Sequence, residues 1–244
     1  DIIVNDILDT EENYVSSLKN EENRVVNFED MGRGARKTDA VINALYERSS
    51  SRDNEFYGSE YICLRDEFRY TKSKKEIGNV DRIMISYGGV DENNLTLKTV
   101  KAIENACEDK SGSPYIDIVL GLGYDNKNEL KSYLESSNLE YEINQNIDWI
   151  SEHMAESDLL FTSNGRTVYE AASLNIPMIS ISQNTREVKH LFSEYNDGVK
   201  NLGIAREVEK SDIIKSFKEY KENEERRTQM INSLKQENLT EGIN

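Results

Sequence analysis

The sequence predicts an α/β fold with parallel sheets in two lobes, the N-terminal lobe incomplete. Three observations carry this. From residue 81 to about 205, short apolar runs alternate with segments of helical period, a pattern that implies parallel strands joined by crossover helices. Residues 1–70 also hold short apolar runs, split by polar stretches. A charged segment without periodicity, Thr71–Asn79, lies between the two regions and reads as a linker. The expected organisation is a partial N-terminal lobe at 1–75, a ligand-binding lobe at 76–210, and a C-terminal helix and tail at 211–244.

In the first lobe, Ile2–Val4 reads as a strand and Thr10–Lys19 as a helix. Thr10 is placed to cap that helix, and Tyr14, Val15 and Leu18 share a face. Arg24–Phe28, Ala40–Asn43 and Tyr61–Leu64 read as strands, and the serine-rich Glu47–Asn54 as a loop. In the second lobe, Arg82–Tyr87 is a strand ending in Gly88-Gly89. The helix after it carries Leu95, Thr99, Ala102, Ile103 and Ala106 on one face. Ile116–Leu122 is a strand, Asn126–Glu135 a helix and Tyr141–Ile143 a short strand. Asp148–Glu156 is a helix with Ile147, Ile150 and Met154 inward. Leu159–Thr162 (strand), Thr167–Leu174 (helix), Met178–Ile181 (strand), Thr185–Tyr195 (helix) and the short run Val199–Leu202 complete the alternation. Ser211–Leu234 reads as a helix or helix pair packing back on the body. The tail from Glu237 has no core of its own. The opening strand at residue 1 and the absence of an initiator Met suggest a chain cut from something longer.

The composition narrows the classes of function. With 30 basic and 46 acidic residues the net charge is −16, which repels nucleic acid and anionic membrane surfaces. No run of about 18 apolar residues is present and no secretory leader, so the expected location is the cytoplasm, with no membrane span. Cys63 and Cys107 read as buried thiols rather than a disulfide or metal pair. No metal cluster, phosphate-loop lysine or Ser/His/Asp set is apparent.

Open parallel sheets bind ligands beyond the carboxyl ends of their strands, and two such ends stand out. At Ser86–Thr96, Gly88 and Gly89 let backbone approach an anion, and the helix that follows offers free N–H groups. Equally, Gly-Gly serves simply to turn the chain, with Asp91 or Asn93 as helix cap. At Ser163–Glu170, small polar residues and Gly165 open a helix. Arg166 can meet a phosphate and Glu170 can accept the hydroxyls of a ribose. The alternative is an ordinary cap with Glu170 on a solvated face. A third crossing, Ser182–Glu187, offers Gln183, Asn184 and Glu187 to sugar hydroxyls, or Asn184 or Thr185 as caps. His153 and His190 lie in predicted helices; His190 is near enough to the third crossing to touch a ligand, but a helix-surface histidine is more often structural. The adjacent Asp66 and Glu67 are expected to point apart.

With these residues in view, the chain resembles GT-B glycosyltransferase-like proteins. Within them it is most similar to the UDP-sugar hydrolase of pseudaminic acid biosynthesis and its relatives in spore-coat polysaccharide biosynthesis. The resemblance runs through Asn5–Asp9, Val26–Asp30, Asp39–Tyr46 with its Asn43, Tyr57-Gly58, Tyr61–Phe68, Ser86–Thr96 and Asp148–Pro177. It implies a GT-B-like fold of two Rossmann-like lobes. It also implies that Gly88 and Gly89 face the phosphates or sugar, and that Ser163, Asn164, Gly165, Arg166 and Thr167 hold the diphosphate. Glu170 would hold the ribose, and the loop at Asn146–Ile147 would contact uracil through its backbone. Asp91, Asn94, Gln183, Asn184 and Glu187 fall on the sugar side.

The implied reaction cleaves UDP from an amino sugar, with water attacking between the lobes. Neither cofactor nor metal is needed, because helix N-termini and Arg166 can take the developing charge. The family's Gly-His turn, with its catalytic histidine, is expected upstream of residue 1, which leaves the catalytic residue unassigned. Glycosyl transfer from the same donor site, or a non-catalytic sugar-nucleotide module within a larger multidomain chain, are the alternatives.

Overall fold

The computed structural model describes residues 1–46, 52–72, 78–107, 112–237 and 239. The chain forms a first compact unit, Asp1–Cys63, and a second that begins at Leu64. The predicted loop Glu47–Asn54, linker Thr71–Asn79 and tail Glu237–Asn244 each lie partly outside the described residues.

The first unit runs β1 (Ile2–Asn5), α1 (Glu12–Leu18), β2 (Arg24–Phe28), a 3-10 turn (Arg33–Lys37), β3 (Ala40–Asn43) and β4 (Glu55–Tyr57). The four strands pair in parallel in the order β1-β2-β3-β4. Thr10 does not cap α1. Its hydroxyl donates to Asp30 Oδ2 at 2.5 Å and its N–H to Asp30 Oδ1 at 2.9 Å, while Asn27 donates to the same carboxylate at 2.5 Å. A buried carboxylate collects donors more strongly than a helix end does, so Thr10 turns toward the strand ends. The predicted strand at Tyr61–Leu64 is absent. Gly58, at φ 112°, turns the chain into a 3-10 helix, Ser59–Tyr61, and the strand instead forms just before it as β4. With no sheet to bury it, Cys63 is exposed, and Cys107 is half-buried, against the expectation for both.

The second unit opens with α2 (Glu67–Tyr70). It continues with β5 (Arg82–Ser86), α3 (Leu95–Ala106), β6 (Tyr115–Leu120), α4 (Lys127–Ser136), β7 (Tyr141–Gln145) and α5 (Ile150–Glu156). Then come β8 (Leu159–Ser163), α6 (Thr167–Ser173), β9 (Met178–Ser182), α7 (Phe192–Tyr195), β10 (Val199–Ile204), α8 (Lys210–Glu222) and α9 (Glu224–Leu234). Its six strands are all parallel in the order β10-β9-β8-β5-β6-β7. The chain therefore builds outward from β5 through β6 to β7, then returns to the other side of β5 as β8. The fold class is α/β with two parallel sheets.

Alternation places Ile83, Ile85, Ile116, Ile118, Phe161, Ile179 and Ile181 on one face of the second sheet, all buried in the main core. Helices α3 and α8 cover that face, and Phe161 meets Phe217 of α8 with ring centroids 6.4 Å apart. The C-terminal segment is a helix pair because Asn223 stops α8 and caps α9, accepting the Arg226 N–H at 2.9 Å. The predicted helix at Thr185–Tyr195 is interrupted. Glu187 turns its carboxylate inward to the N–H groups of Gln183 and Asn164. His190 is extended, with its ring nitrogen Nδ1 2.7 Å from the Asn164 carbonyl. A 3-10 turn (Glu187–Lys189) and α7 are what remain.

A buried charge network ties β5, β6, β7 and α5. Asp117 is fully buried and accepts from Arg82 at 2.9 Å and Asn144 at 3.1 Å, with His153 Nδ1 at 2.7 Å. Arg82 also meets Glu142 at 2.7 Å. The ligand atoms of Asp117, Glu142 and His153 lie within 4.8 Å of one another. The Arg82 guanidinium sits among them, so these groups form an ion-pair network.

Candidate functional site

In an open parallel sheet the crossovers on either side of the strand where winding reverses diverge, leaving a crevice beyond the carboxyl ends. Here that point lies between β5 and β8, whose last paired residues are Ser86 and Thr162. The two turns singled out in the sequence follow these two strands. They are neighbours: a Cβ added at Gly88 would stand 3.9 Å from Ser163 Oγ.

A cleft of about 240 Å³ opens there. Among the described residues its wall includes the expected Gly88, Gly89, Asn146, Ile147, Thr167 and Glu170. Gly88 has φ 79°, the left-handed conformation that glycine adopts without strain. No atom lies within 4 Å of a Cβ built at Gly89, so its backbone faces open space. Asn146 also takes a left-handed conformation, φ 57°, which turns the chain at the end of β7. Ile147 and Ile150 were expected inward with Met154. Only Met154 is buried, and the two isoleucines form the apolar side of the cleft instead.

The structure adds residues that the sequence reading did not single out. Gly121 and Gly123 follow β6 and support Gly88-Gly89 from beneath: the Gly123 N–H donates to Gly89 O at 2.9 Å. A Cβ at Gly121 would lie 2.2 Å from Gly89 O and 2.4 Å from Gly88 O. The Gly-x-Gly after a strand is the same kind of signal as Gly88-Gly89. Gly121→Ala is expected to cost about 1–3 kcal/mol, as an overpacking substitution. Urea unfolding would measure it, with the control Gly89→Ala near neutral.

Arg65 is the second addition. Its Nη1 lies 2.7 Å from Glu67 Oε1, and its Nη2 3.5 Å from Glu170 Oε1. Glu67 is buried and its other oxygen accepts the Ser151 N–H at 2.9 Å, whereas the Asp66 side chain is 84% exposed. The adjacent carboxylates do point apart. Glu170 is buried one turn into α6, not on a solvated face. Burial holds its carboxyl above the usual glutamate range. Arg65 and Arg166 pull it down, and Glu67 pushes it up.

The remaining candidates lie outside the cleft wall. Asp91 caps α3, accepting the N–H groups of Leu95 and Thr96 at 2.8 Å each, and also takes Gln183 Nε2 at 2.9 Å. Asn94 accepts from the Tyr124 hydroxyl at 2.6 Å. Gln183 takes Asn93 on its side-chain oxygen at 2.7 Å. Asn184 caps the next turn, accepting from Arg186 and Glu187 N–H at 3.0 and 3.1 Å. Asn164 donates to the Glu187 carbonyl at 2.8 Å. Ser163 bonds Glu187, whose carboxyl is raised by burial and lowered by the N–H groups of Gln183 and Asn164. Burial lowers the His190 ring, and its contact with Asn164 raises it. Gly165 sits beside Glu187, and Arg166 is half-buried at the start of α6. The hydrogen bonds of Asp91, Asn94, Asn164, Gln183, Asn184 and Glu187 hold the turns in shape.

A six-stranded parallel sheet wound in this order, with a cleft at its reversal, gives an α/β fold that matches GT-B glycosyltransferase structures. Solved structures agree on the fold. MurG of Acinetobacter baumannii superposes with TM-score 0.58 at 14% identity, over 90% of this chain and 64% of that one. A UDP-N-acetylglucosamine 2-epimerase from Listeria monocytogenes gives 0.64 at 14% identity, over 96% and 69%. TarM of S. aureus, solved with UDP, gives 0.61 at 12% identity, over 88% and 47%. Among curated proteins, the uncharacterized protein MJ1062 of Methanocaldococcus jannaschii is 30% identical over 200 residues, 75% of this chain and 40% of that protein. The spore coat polysaccharide biosynthesis protein SpsG of Bacillus subtilis is 24% identical over 195 residues, 75% of this chain and 56% of that one. The chain thus spans about half the length of these relatives. No protein-family model matches it. Among the described residues, no helix is long and apolar enough to cross a membrane.

Proposed function

We propose that the cleft binds the nucleotide of a UDP-amino sugar and that the chain is the donor-site part of an enzyme releasing UDP by hydrolysis. Its place would be surface-polysaccharide or pseudaminic- or sialic-acid-like sugar biosynthesis. The observation that carries the reading is the buried Glu170 at the reversal of the sheet, facing the same cleft as Gly88 and Gly89. In this reading Glu170 accepts the ribose hydroxyls, and backbone at Gly88, Gly89 and Ser163–Thr167 meets the diphosphate. Asn146 and Ile147 contact the uracil. Asp91, Asn94, Gln183, Asn184 and Glu187, already hydrogen-bonded within the fold, set the turns on the sugar side. The similarity to a spore-coat polysaccharide biosynthesis protein supports the pathway class.

A second reading, glycosyl transfer, is favoured by the likeness to MurG and TarM and uses the same donor site. Incubating the full-length protein with UDP-N-acetylglucosamine and related UDP-amino sugars, with and without acceptor sugars, separates the two. UDP release in water alone is the expected result. Release only when an acceptor sugar is added would establish transfer. UDP binding without any release would leave a sugar-nucleotide-binding module.

A further inference from the structure

We propose that Arg65 is the phosphate-recognition residue of the cleft, and that it works by exchange, leaving Glu170 for the diphosphate when the ribose arrives. This rests on the nucleoside-diphosphate reading above and names the group that gives it charge selectivity. Of the described residues lining the cleft, Arg65 alone carries a positive charge; Arg166, the cation expected from the sequence, is not among them.

Charge balance requires such a group. The cleft holds Glu170, with the buried Glu67 beside it. A diphosphate entering next to uncompensated buried carboxylates would be strongly repelled in a medium of low dielectric. The geometry of the guanidinium is asymmetric in the sense the exchange needs. Its Glu67 contact, at 2.7 Å, is a full charge-assisted hydrogen bond, whereas its Glu170 contact, at 3.5 Å, is at the limit of one. Glu67 is itself fixed by the Ser151 N–H. Arg65 therefore stays tethered at the Glu67 end while the Glu170 end lets go.

The side chain is also placed to move. It lies over the Phe68 ring at 5.3 Å and is 53% exposed. A guanidinium has five N–H donors in a planar fork, so donors remain for a phosphate after the Glu67 bond is kept. Ribose hydroxyls donating to Glu170 replace the weak Arg65 contact, so the carboxylate keeps a partner throughout.

The test compares UDP with uridine by calorimetric titration of the whole chain, for the wild-type protein, Arg65→Ala and Arg65→Lys. UDP is expected to bind the wild-type protein more tightly than uridine. Arg65→Ala should weaken UDP by about 10- to 100-fold, the worth of one charge-assisted hydrogen bond. Uridine affinity should change by less than about threefold, since the nucleoside does not meet the fork. Arg65→Lys, which keeps the charge and loses the fork, should fall between, and circular dichroism checks that each variant is folded. Equal weakening of both ligands, or UDP affinity unchanged in Arg65→Ala, would overturn the inference and leave the nucleotide reading standing. Wild-type protein that binds neither ligand would overturn both.

Discussion

Replacing Glu170 by Ala should abolish the rise in melting temperature that UDP gives the wild-type protein. A ligand that binds only the folded state stabilises it by an amount set by its concentration relative to Kd, about 2.7 kcal/mol at a hundredfold excess over Kd. Hydrogen bonds to a charged group contribute about 1.5–3 kcal/mol each, and in the proposed reading Glu170 accepts two from a ribose. Losing them raises Kd by about a hundredfold or more, and the stabilisation at the same UDP concentration falls to about 0.4 kcal/mol or less. Differential scanning fluorimetry across a UDP series reads this directly. No shift in the wild-type protein at millimolar UDP would end the donor-site reading.

The same residue carries a cost. Burial raises the Glu170 carboxyl above its ordinary value of 4.5. A group raised on folding contributes stability that is full below the unfolded value and is lost as pH climbs through the folded one. At neutral pH the buried charge is therefore a penalty. Glu170→Gln, which keeps the shape and removes the charge, should melt higher than wild type at pH 7 and show no such advantage near pH 4, while still losing the response to UDP. A stabilised variant that no longer binds is what a carboxylate kept for a ligand would give.

Arg82→Ala should destabilise the second unit strongly, by about 3–5 kcal/mol, the usual cost of stranding one member of a buried ion pair. Asp117 has no exposed surface and depends on Arg82, Asn144 and His153 for its partners. Glu142 loses the same guanidinium. The double change Arg82→Met with Asp117→Leu should recover much of the loss, because it removes the stranded charge along with its partner. Urea denaturation of the two variants checks this. Near-wild-type stability in Arg82→Ala would show that water replaces the guanidinium.

Much of this was legible in the residues because it is local. Apolar runs at the right period mark β2 and β3 at their observed ends, and the strand–helix alternation after Asp81 fixes the parallel class without reference to distant contacts. Gly88-Gly89 and Ser163–Glu170 announce themselves as strand-to-helix turns through their own chemistry. What depended on distant partners was not legible. Thr10 reads as a cap until Asp30 competes for its hydroxyl. Thr185–Tyr195 reads as one helix until Glu187 and His190 are drawn back onto the Asn164 turn. β4, three residues long, is too short to show a period.

The candidate site divides in the same way. Sequence alone determined that two turns at the ends of apolar strands carry glycines, small polar residues and a carboxylate suited to a phosphorylated ligand. Only the tertiary structure decided that they meet, because the order β10-β9-β8-β5-β6-β7 sets β8 against β5 across 75 residues of intervening chain between Ser86 and Thr162. It also decided which cation faces the cleft. Arg166 lies one helical turn from Glu170 in sequence, but Arg65, 105 residues away, donates to its carboxylate. Proximity along the chain fixes the conformation of a turn. The electrostatics of a cleft depend on which side chains the packed sheet brings to its mouth.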